Sequence, residues 1–481
     1  MGDSNQKLHA IMISFPFQGH ITPFVHLAIK LASKGFTITF VHTEFIHHQI
    51  TKSQPHKTIE PQVFSEARKS GLDIRYTTIT DGLPLEFDRS SNMKQYWDSI
   101  MQVFPTHIDE FVNNMVKSHP LSAFFLVTDT LYAWPATIAK KYNFVIVSFW
   151  TQPALIFTLY YHLDLLIKNG HFASNDNRMD TIAYIPGVKA IEPKDLTSTL
   201  QETDTTTLVH RVTFKAFEEV KKADIVICNT VEELESETIS ALHQKSPIYA
   251  IGPIFPPRFT KSTVGTSLRA ASDCTEWLNT RPHGSVLYVA FGSLVSISEH
   301  DMAEIAHGLL LSEANFIWVL RPGTIGSDGT NILPVGFEDS IKDRGMIVPW
   351  CNQIEVLSHS AVGGFLTHCG WNSLFESIWF GVPLICFPFA YDQITNRKLV
   401  VNDWKIGINL RDEKSITRGE VGEKINLLMR GTKSDELRKE MNRVKKTLEN
   451  ALATDGSSEK NFKQFIKNVK ELMRKRNGLS I

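Results

Sequence analysis

The chain has 481 residues, of which 42% are hydrophobic and 21% charged, and its 50 Lys and Arg residues balance 51 Asp and Glu residues. This length predicts two or three domains, and the composition excludes a disordered, collagen-like, coiled-coil or disulfide-rich chain. The formal charge of −1 argues against a dedicated nucleic-acid binder or a protein that coats anionic membranes.

The cysteine content and the start of the chain indicate a compartment. The five cysteines are far apart and include no Cys-x-x-Cys pair: Cys228, Cys274, Cys351, Cys369 and Cys386. A zinc site that combines Cys351, His368 and Cys369 has unsuitable ligand spacing, so free thiols are expected. The sequence also lacks a signal-peptide core, an Asn-x-Ser/Thr sequon and an apolar run of about 18 residues. We therefore expect a soluble, cytoplasmic protein with no membrane span.

The first half of the chain alternates short apolar runs with amphipathic segments. Strands are predicted at 9–17, 36–42, 123–127, 144–149 and 225–229. Thr22 and Pro23 are typical of a helix start, so a helix is predicted from there to Leu31. Alternating strands and helices predict a parallel sheet covered on both faces. Two irregular stretches, 51–98 and 151–207, exceed the usual loop length and are expected to shape a binding site.

The second half repeats this rhythm after a break. Segment 252–273 is rich in Pro, Gly, Ser and Thr and is predicted to be an interdomain linker. Strands follow at 285–291, 315–320, 346–349, 363–367 and 383–387, with a helix at 299–311. The fold class is therefore predicted to be α/β, with two consecutive doubly wound domains.

Two polar residues follow strands of the first predicted sheet. His20 comes just after the first strand and Asp129 ends another, and ligands bind beyond the carboxyl ends of parallel strands. A neutral histidine oriented by a carboxylate is a general base. A helix dipole disfavours imidazolium whereas a carboxylate favours it, and the sequence leaves the balance open. His20 as a simple turn-capping residue is an equal alternative.

A glycine-containing turn carries the strongest signal of the second half. The predicted strand 363–367 leads into His368-Cys369-Gly370-Trp371-Asn372-Ser373 and then a helix, whose free N–H groups suit a phosphate. Glu376, one turn later, suits ribose hydroxyls, and Gly292-Ser293 forms a second turn at the same edge. A capped helix with no ligand is the alternative.

Polar and aromatic residues follow the neighbouring strands. Trp350 with Gln353 suits a flat base, and Asp392 with Gln393 suits adjacent sugar hydroxyls. A half-buried tryptophan and a plain polar loop are the alternatives for these two pairs.

The joint spacing of these residues from Trp350 to Gln393, with Gly381-Val382-Pro383 between them, resembles the 44-residue signature of plant family-1 UDP-glycosyltransferases. The resemblance extends to Gln18-Gly19-His20, Asp129 and the segments 149–151 and 289–293, and so covers essentially the whole chain. Asn352 stands where the family often has Pro. Phe389-Ala390-Tyr391 also departs from the pattern, which puts the choice of acceptor in doubt.

The resemblance implies a GT-B fold, with two Rossmann-like domains facing a cleft. Residues 1–251 would bind the acceptor, 274–461 the UDP-sugar, and a helix at 462–481 would cross back to the first domain. His20 would be the catalytic base and Asp129 its orienting acid. The implied donor-binding residues are Trp350 and Gln353 at uracil, Glu376 at ribose, Ser293, His368, Gly370, Asn372 and Ser373 at the diphosphate, and Thr151, Trp371, Asp392 and Gln393 at the sugar.

The resemblance implies transfer of glucose from UDP-glucose to a hydroxyl of a small lipophilic phenolic, flavonoid or terpenoid, with inversion. No metal or other cofactor is expected beside the UDP-glucose donor, and the protein is expected to be a monomer. A catalytically silent nucleotide-sugar-binding protein on the same fold is the alternative. An NAD oxidoreductase or epimerase is disfavoured because the first strand lacks Gly-x-Gly-x-x-Gly.

Overall fold

The computed structural model describes residues 7–53, 62–174, 178–255, 266–293, 297–321, 333–411 and 415–477, which form two parallel β-sheets flanked by helices. The predicted pair of doubly wound domains is confirmed. Ten of the predicted linker residues, 256–265, lie outside the described residues, as do 1–6 and 478–481. Within the part of the chain that is described, no helix is both long and apolar enough to cross a membrane.

The first sheet has the strand order β3-β2-β1-β4-β5-β6-β7. Its strands are β1 (Lys7–Ile13), β2 (Thr37–Thr43), β3 (Ile74–Ile79), β4 (Ser122–Asp129), β5 (Val145–Trp150), β6 (Ile225–Cys228) and β7 (Ile248–Ala250). Its helices are α1 (Gln18–Ala32), α2 (Glu44–Ser53), α3 (Ser65–Lys69), α4 (Met93–Gln102), α5 (Phe104–Ser118), α6 (Pro135–Tyr142), α7 (Ala154–Tyr161), α8 (Leu163–Lys168), α9 (Ser198–Gln201), α10 (Leu208–Val220) and α11 (Ser236–His243).

The second sheet has the strand order β10-β9-β8-β11-β12-β13. Its strands are β8 (Val286–Ala290), β9 (Asn315–Val319), β10 (Gly345–Val348), β11 (Val362–Thr367), β12 (Leu384–Cys386) and β13 (Gly407–Asn409). Its helices are α12 (Thr275–Asn279), α13 (Glu299–Ser312), α14 (Phe337–Ser340), α15 (Gln353–Ser358), α16 (Trp371–Phe380), α17 (Gln393–Lys398), α18 (Arg418–Met429) and α19 (Gly431–Leu452), and α20 (Ser457–Asn477) ends the described chain.

Parallel register brings the functional segments to one edge in each sheet. Ile13 of β1 pairs with Thr128 of β4, so the turn before α1 lies beside Asp129. Thr367 of β11 pairs with Ala290 of β8, so the two glycine turns also lie side by side.

Helix α20 packs on the first domain although it follows the second in sequence. Four of its apolar side chains are fully buried in the core that covers one face of the first sheet: Phe462, Phe465, Val469 and Met473. The helix begins at Ser457, five residues before the predicted position, and Ser458 Oγ donates to the Gly252 carbonyl at 2.5 Å.

Two sequence-based expectations about local structure were wrong. Helix α1 begins at Gln18, so Thr22 and Pro23 lie inside it rather than at its start. Neither long stretch is irregular throughout, because β3, α3 and the start of α4 lie within 51–98, and α7, α8 and α9 lie within 151–207. Strands β3, β7 and β13 were missed, and they are short or at the sheet edges.

Candidate active site

His20 and Asp129 meet at the carboxyl edge of the first sheet. His20 lies in the first turn of α1, and its Nδ1 is 2.7 Å from Asp129 Oδ2. The other carboxylate oxygen, Oδ1, accepts the Leu131 backbone N–H at 2.9 Å, so the carboxylate is held in orientation. Because Asp129 binds Nδ1, the Nε2 atom of His20 is the nitrogen that can take a proton from a ligand.

The electrostatic balance at His20, which the sequence leaves open, favours the carboxylate. Burial disfavours the charged imidazolium, but the Asp129 charge and hydrogen bond outweigh burial, with a smaller contribution from Asp392. The pKa of His20 is therefore raised above its ordinary value of 6.5. Thr151 Oγ1, which follows β5, also lies 3.2 Å from Nδ1, so the predicted sugar-side residue Thr151 adjoins the histidine.

Pro23 has a role that its position inside α1 explains. A proline has no N–H, so the Gly19 carbonyl four residues earlier receives no intrahelical hydrogen bond from it. That carbonyl instead accepts a hydrogen bond from Asn372 Nδ2 at 2.7 Å, and Asn372 belongs to the second domain. The helix that carries His20 is thereby joined to the glycine turn of α16.

His368 lies between the two glycine turns of the second domain. A Cβ atom on Gly292 or on Gly370 would come within 2.5 Å or 2.6 Å of His368 Nε2, so both positions require glycine. Burial, with a smaller contribution from Arg321, lowers the pKa of His368 to about 4. The ring is therefore neutral at physiological pH, and its buried Nδ1 has no partner among the described residues.

A hydrogen-bonded cluster follows this turn. Gln353 Nε2 donates both of its hydrogens, to Ser373 Oγ at 2.8 Å and to Glu376 Oε2 at 2.6 Å. Burial raises the pKa of Glu376 to about 7 even though the Gln353 hydrogen bond favours the carboxylate. Trp350 lies beside this cluster after β10, half-buried, and its indole N–H donates to Ser267 Oγ at 3.1 Å.

Asp392 and Gln393 open α17 at the same edge. Asp392 Oδ2 accepts from Asn396 Nδ2 at 2.7 Å, and burial raises the pKa of Asp392 to about 6. The Gln393 Oε1 atom accepts the backbone N–H groups of Phe389 and Ala390 at 2.9 and 3.3 Å. Its side-chain oxygen is thus used within the loop, and the Nε2 amide is the group that remains for a ligand.

Trp371 is oriented differently from the other predicted sugar-side residues. Its ring is buried against Phe375 and Trp404, and its indole N–H donates to the Asn229 carbonyl of the first domain at 2.7 Å. What Trp371 offers to a ligand is therefore its backbone N–H at the start of α16. Its side chain holds the two domains together.

The residues described above share one cleft between the domains, with a volume of about 1610 Å³. All of the predicted site residues except Asp129 line it, and Asp129 lies directly behind His20. This volume exceeds that of a typical small-ligand pocket, so the cleft has room for more than one ligand.

Sequence reasoning missed the residues that form the wall beside His20. Trp97 of α4 packs on Phe15 and Phe17, with ring centroids 5.1 and 5.8 Å apart, and Phe15 in turn packs on His20 at 5.6 Å. The signal for Trp97 was the length of the stretch 51–98, which was expected with 151–207 to shape a site, whereas Phe15 and Phe17 lie in the predicted strand 9–17 and were not singled out. Met93, Trp97, Tyr160 and Thr199 from these stretches do line the cleft.

Comparisons with known proteins agree over nearly the whole chain. The family described as UDP-glucoronosyl and UDP-glucosyl transferase matches residues 267–446. UDP-glycosyltransferase 86A1 from Arabidopsis thaliana is 54% identical, covering 99% of this chain and 98% of its own length. The 7-deoxyloganetin glucosyltransferase of Catharanthus roseus is 34% identical, covering 97% and 98%.

A solved structure gives the same picture for the fold. UGT2 from Phytolacca americana, complexed with UDP-2fluoro-glucose and pterostilbene, superposes with a TM-score of 0.77 at 25% identity. The superposition covers 96% of this chain and 99% of that one.

Proposed function

Since the chain belongs to the plant family-1 UDP-glycosyltransferases and has their GT-B fold, we propose that it transfers glucose from UDP-glucose to a hydroxyl of a small lipophilic natural product. The acceptor classes that we propose are phenolics, flavonoids and terpenoids, and the reaction inverts the anomeric carbon. We further propose that the enzyme acts as a monomer in the cytoplasm.

The observation that carries this proposal is the His20–Asp129 pair at 2.7 Å, next to the same cleft as the glycine turns of α16 and β8. His20 Nε2 takes the proton of the acceptor hydroxyl, and the oxygen attacks the anomeric carbon from the face opposite UDP. The new carbon–oxygen bond forms as the bond to UDP breaks, and UDP leaves with the electron pair. His20 then releases its proton to solvent, while Asp129 stabilises the imidazolium and holds its orientation.

The donor-side roles follow from the resemblance and suit the observed contacts. Trp350 would stack on uracil beside Gln353, and the Glu376 carboxylate would accept hydrogen bonds from ribose hydroxyls. The diphosphate would bind at the N-terminus of α16, where the backbone N–H groups that follow Gly370 have no intrahelical partner. We propose that these groups stabilise the leaving UDP without a divalent metal.

Known relatives support glucose as the donor sugar. The Catharanthus roseus relative is a glucosyltransferase, and the Phytolacca americana structure holds UDP-2fluoro-glucose together with the stilbene pterostilbene. Phe17 and Trp97, which line the cleft near His20 and pack on the buried Phe15, suit a lipophilic acceptor.

The test is incubation of the purified chain with UDP-glucose and a panel of phenolic, flavonoid and terpenoid alcohols, read by mass spectrometry. A product heavier than an acceptor by one hexosyl group, formed by the wild type and lost in His20→Ala, supports the proposal. NMR coupling of the anomeric proton then decides between inversion and retention. UDP binding with no transfer to any acceptor would instead support the silent binding protein.

A further inference from the structure

Arg321 lies behind the diphosphate end of the cleft, in a position that the proposed mechanism does not use. It follows β9 by two residues and is 9% exposed. Its Nη1 donates to the backbone carbonyl of Ser293 at 2.6 Å. Gly292 and Ser293 form the turn after β8, in which Gly292 has the left-handed φ of 71° and contacts the His368 ring.

The charges at this end of the cleft are unequal. The His368 ring is neutral at physiological pH, because burial and the neighbouring Arg321 lower its pKa to about 4. Burial, with a smaller contribution from Arg269, lowers the pKa of Arg321 to about 10, which still leaves its guanidinium charged. Among the described residues, the histidine and carboxylate side chains that line the donor end of the cleft are His368, Glu376 and Asp392, none of which is a permanent cation.

A diphosphate that enters this end brings negative charge, and the charge on its terminal oxygen grows as the bond to the sugar breaks. A fixed cation in a buried, low-dielectric position stabilises such charge without rearrangement at the moment of reaction. Arg321 donates to the carbonyl of Ser293, and the Gly292–Ser293 turn is one of the turns that would meet the diphosphate in the proposed site.

We propose that Arg321 is a positioning residue with two effects on the proposed UDP-sugar site: it fixes the Gly292–Ser293 turn through the Ser293 carbonyl, and its charge attracts the diphosphate. The inference rests on the proposed function, because it assumes a nucleoside diphosphate as ligand. It adds a cation to a site whose other phosphate-binding groups are neutral.

The two effects separate in two substitutions. Arg321→Gln removes the charge but keeps an amide N–H donor on a shorter side chain, whereas Arg321→Lys keeps the charge and loses the planar fork. Arg344→Gln is the matched control. Arg344 is also a partly buried arginine of the second domain, and its Nη1 donates to the Leu309 carbonyl at 2.9 Å. Its other acceptors are the Ala314 and Leu310 carbonyls rather than a glycine turn of the cleft.

The measurement is the affinity of each purified protein for uridine, UMP and UDP by isothermal titration calorimetry. For a charge pair about 10 Å apart at an effective dielectric constant of about 20, Arg321→Gln is expected to weaken UDP about tenfold. In the same variant, the affinity for UMP is expected to fall less and the affinity for uridine by less than about twofold, since UMP carries less phosphate charge and uridine carries none. Arg321→Lys is expected to keep UDP affinity within about threefold, and Arg344→Gln to leave all three unchanged.

Uridine affinity also reports whether each variant keeps a folded site. Equal weakening of uridine, UMP and UDP in Arg321→Gln would overturn the proposed charge effect, as would an unchanged affinity for UDP. If Arg321→Gln yields no folded protein, Arg321→Lys decides on the charge effect: retained UDP affinity supports it, and a tenfold loss of UDP affinity overturns it. A wild-type protein that binds neither uridine nor UDP would instead overturn the proposed function itself.

Discussion

Replacement of Asp129 by Asn tests how the structure makes His20 a base. In the wild type, Asp129 Oδ1 accepts the Leu131 N–H and Oδ2 accepts the His20 Nδ1–H. In Asp129→Asn the amide oxygen keeps the Leu131 hydrogen bond, so the amide NH₂ faces Nδ1. Because this NH₂ donates to Nδ1, His20 adopts the tautomer whose proton is on Nε2. In the proposed mechanism Nε2 is the nitrogen that must take the proton from the substrate hydroxyl.

The expected loss follows from this change. A hydrogen bond to a charged group contributes about 1.5–3 kcal/mol, which corresponds to roughly 10- to 150-fold in rate. The wrong tautomer adds to that loss, so kcat/KM for the acceptor is expected to fall on the order of 10²–10⁴, the range for loss of a general base.

The dependence of activity on pH provides a second test of the same role for Asp129. Only neutral His20 acts as a base, so wild-type activity rises as pH rises through the His20 pKa, which lies above 6.5. Asp129→Asn removes the two larger interactions that raise this pKa and leaves burial, which lowers it, together with the smaller contribution from Asp392. The acid limb of the profile is therefore expected to move to lower pH while the plateau falls.

The assay is kcat/KM for one aliphatic alcohol acceptor from about pH 5 to about pH 9, because a phenol acidic enough to ionise would not need the base. Asp109→Asn, at a half-buried aspartate that pairs with Lys141 away from the cleft, is the matched control and is expected to match the wild type. A variant with a plateau within about threefold of wild type and an unmoved acid limb would refute the reasoning.

Four further outcomes are expected. His20→Ala loses on the order of 10²–10⁴ in transfer rate while UDP affinity, measured by calorimetry, stays within about twofold, since the base lies in the other domain; unchanged turnover at saturating alcohol would contradict its role. EDTA leaves transfer nearly intact, because helix N–H groups rather than a metal meet the diphosphate; loss of activity that Mg²⁺ restores would contradict this. The kcat/KM for UDP-glucose is expected to exceed that for UDP-galactose. Gln393→His is expected to lose glucose transfer without necessarily gaining galactose transfer, because the variant lacks the Nε2 amide that we propose bonds the sugar hydroxyls. Equal efficiencies for the two donors in the wild type would show that Gln393 does not distinguish the two sugars. Burial raises the pKa of Glu376 to about 7, and ribose hydroxyls favour its carboxylate, so UDP affinity is expected to rise as pH rises through that value. UDP binding near neutral pH is then expected to release protons. Calorimetry in buffers of different ionisation enthalpy measures this release, which Glu376→Gln is expected to abolish.

The sequence by itself was enough for the fold class and for the prediction that the donor-signature residues share one edge of the second sheet. The donor-signature residues from Trp350 to Gln393 lie in one segment of the chain, and most of them follow a strand or lie in the first turns of a helix. The parallel strands of the second sheet therefore bring them to one sheet edge. Strong apolar runs at β4, β5, β8 and β11 were recognised for the same reason, since buried parallel strands are apolar throughout.

Predictions from local sequence patterns differ from the structure where a residue bonds to a partner that is distant in sequence or to its own loop. Thr22 and Pro23 are a good helix start locally, but Pro23 lies inside α1, where the carbonyl that it leaves unbonded accepts from Asn372. Trp371 and Gln393 are donor-signature residues, yet the indole of Trp371 bonds to Asn229 of the other domain and the oxygen of Gln393 bonds to its own loop.

The sign of the His20 pKa depended on tertiary structure as well. His20 and Asp129 are 109 residues apart, and their 2.7 Å contact exists because β1 and β4 pair in parallel with their carboxyl ends together. Burial and the carboxylate act on the imidazolium in opposite directions, and both depend on distances in the folded chain. The order of residues therefore determined which groups are available for chemistry, and the packing of two sheets and two domains decided which atoms of those groups face the ligand.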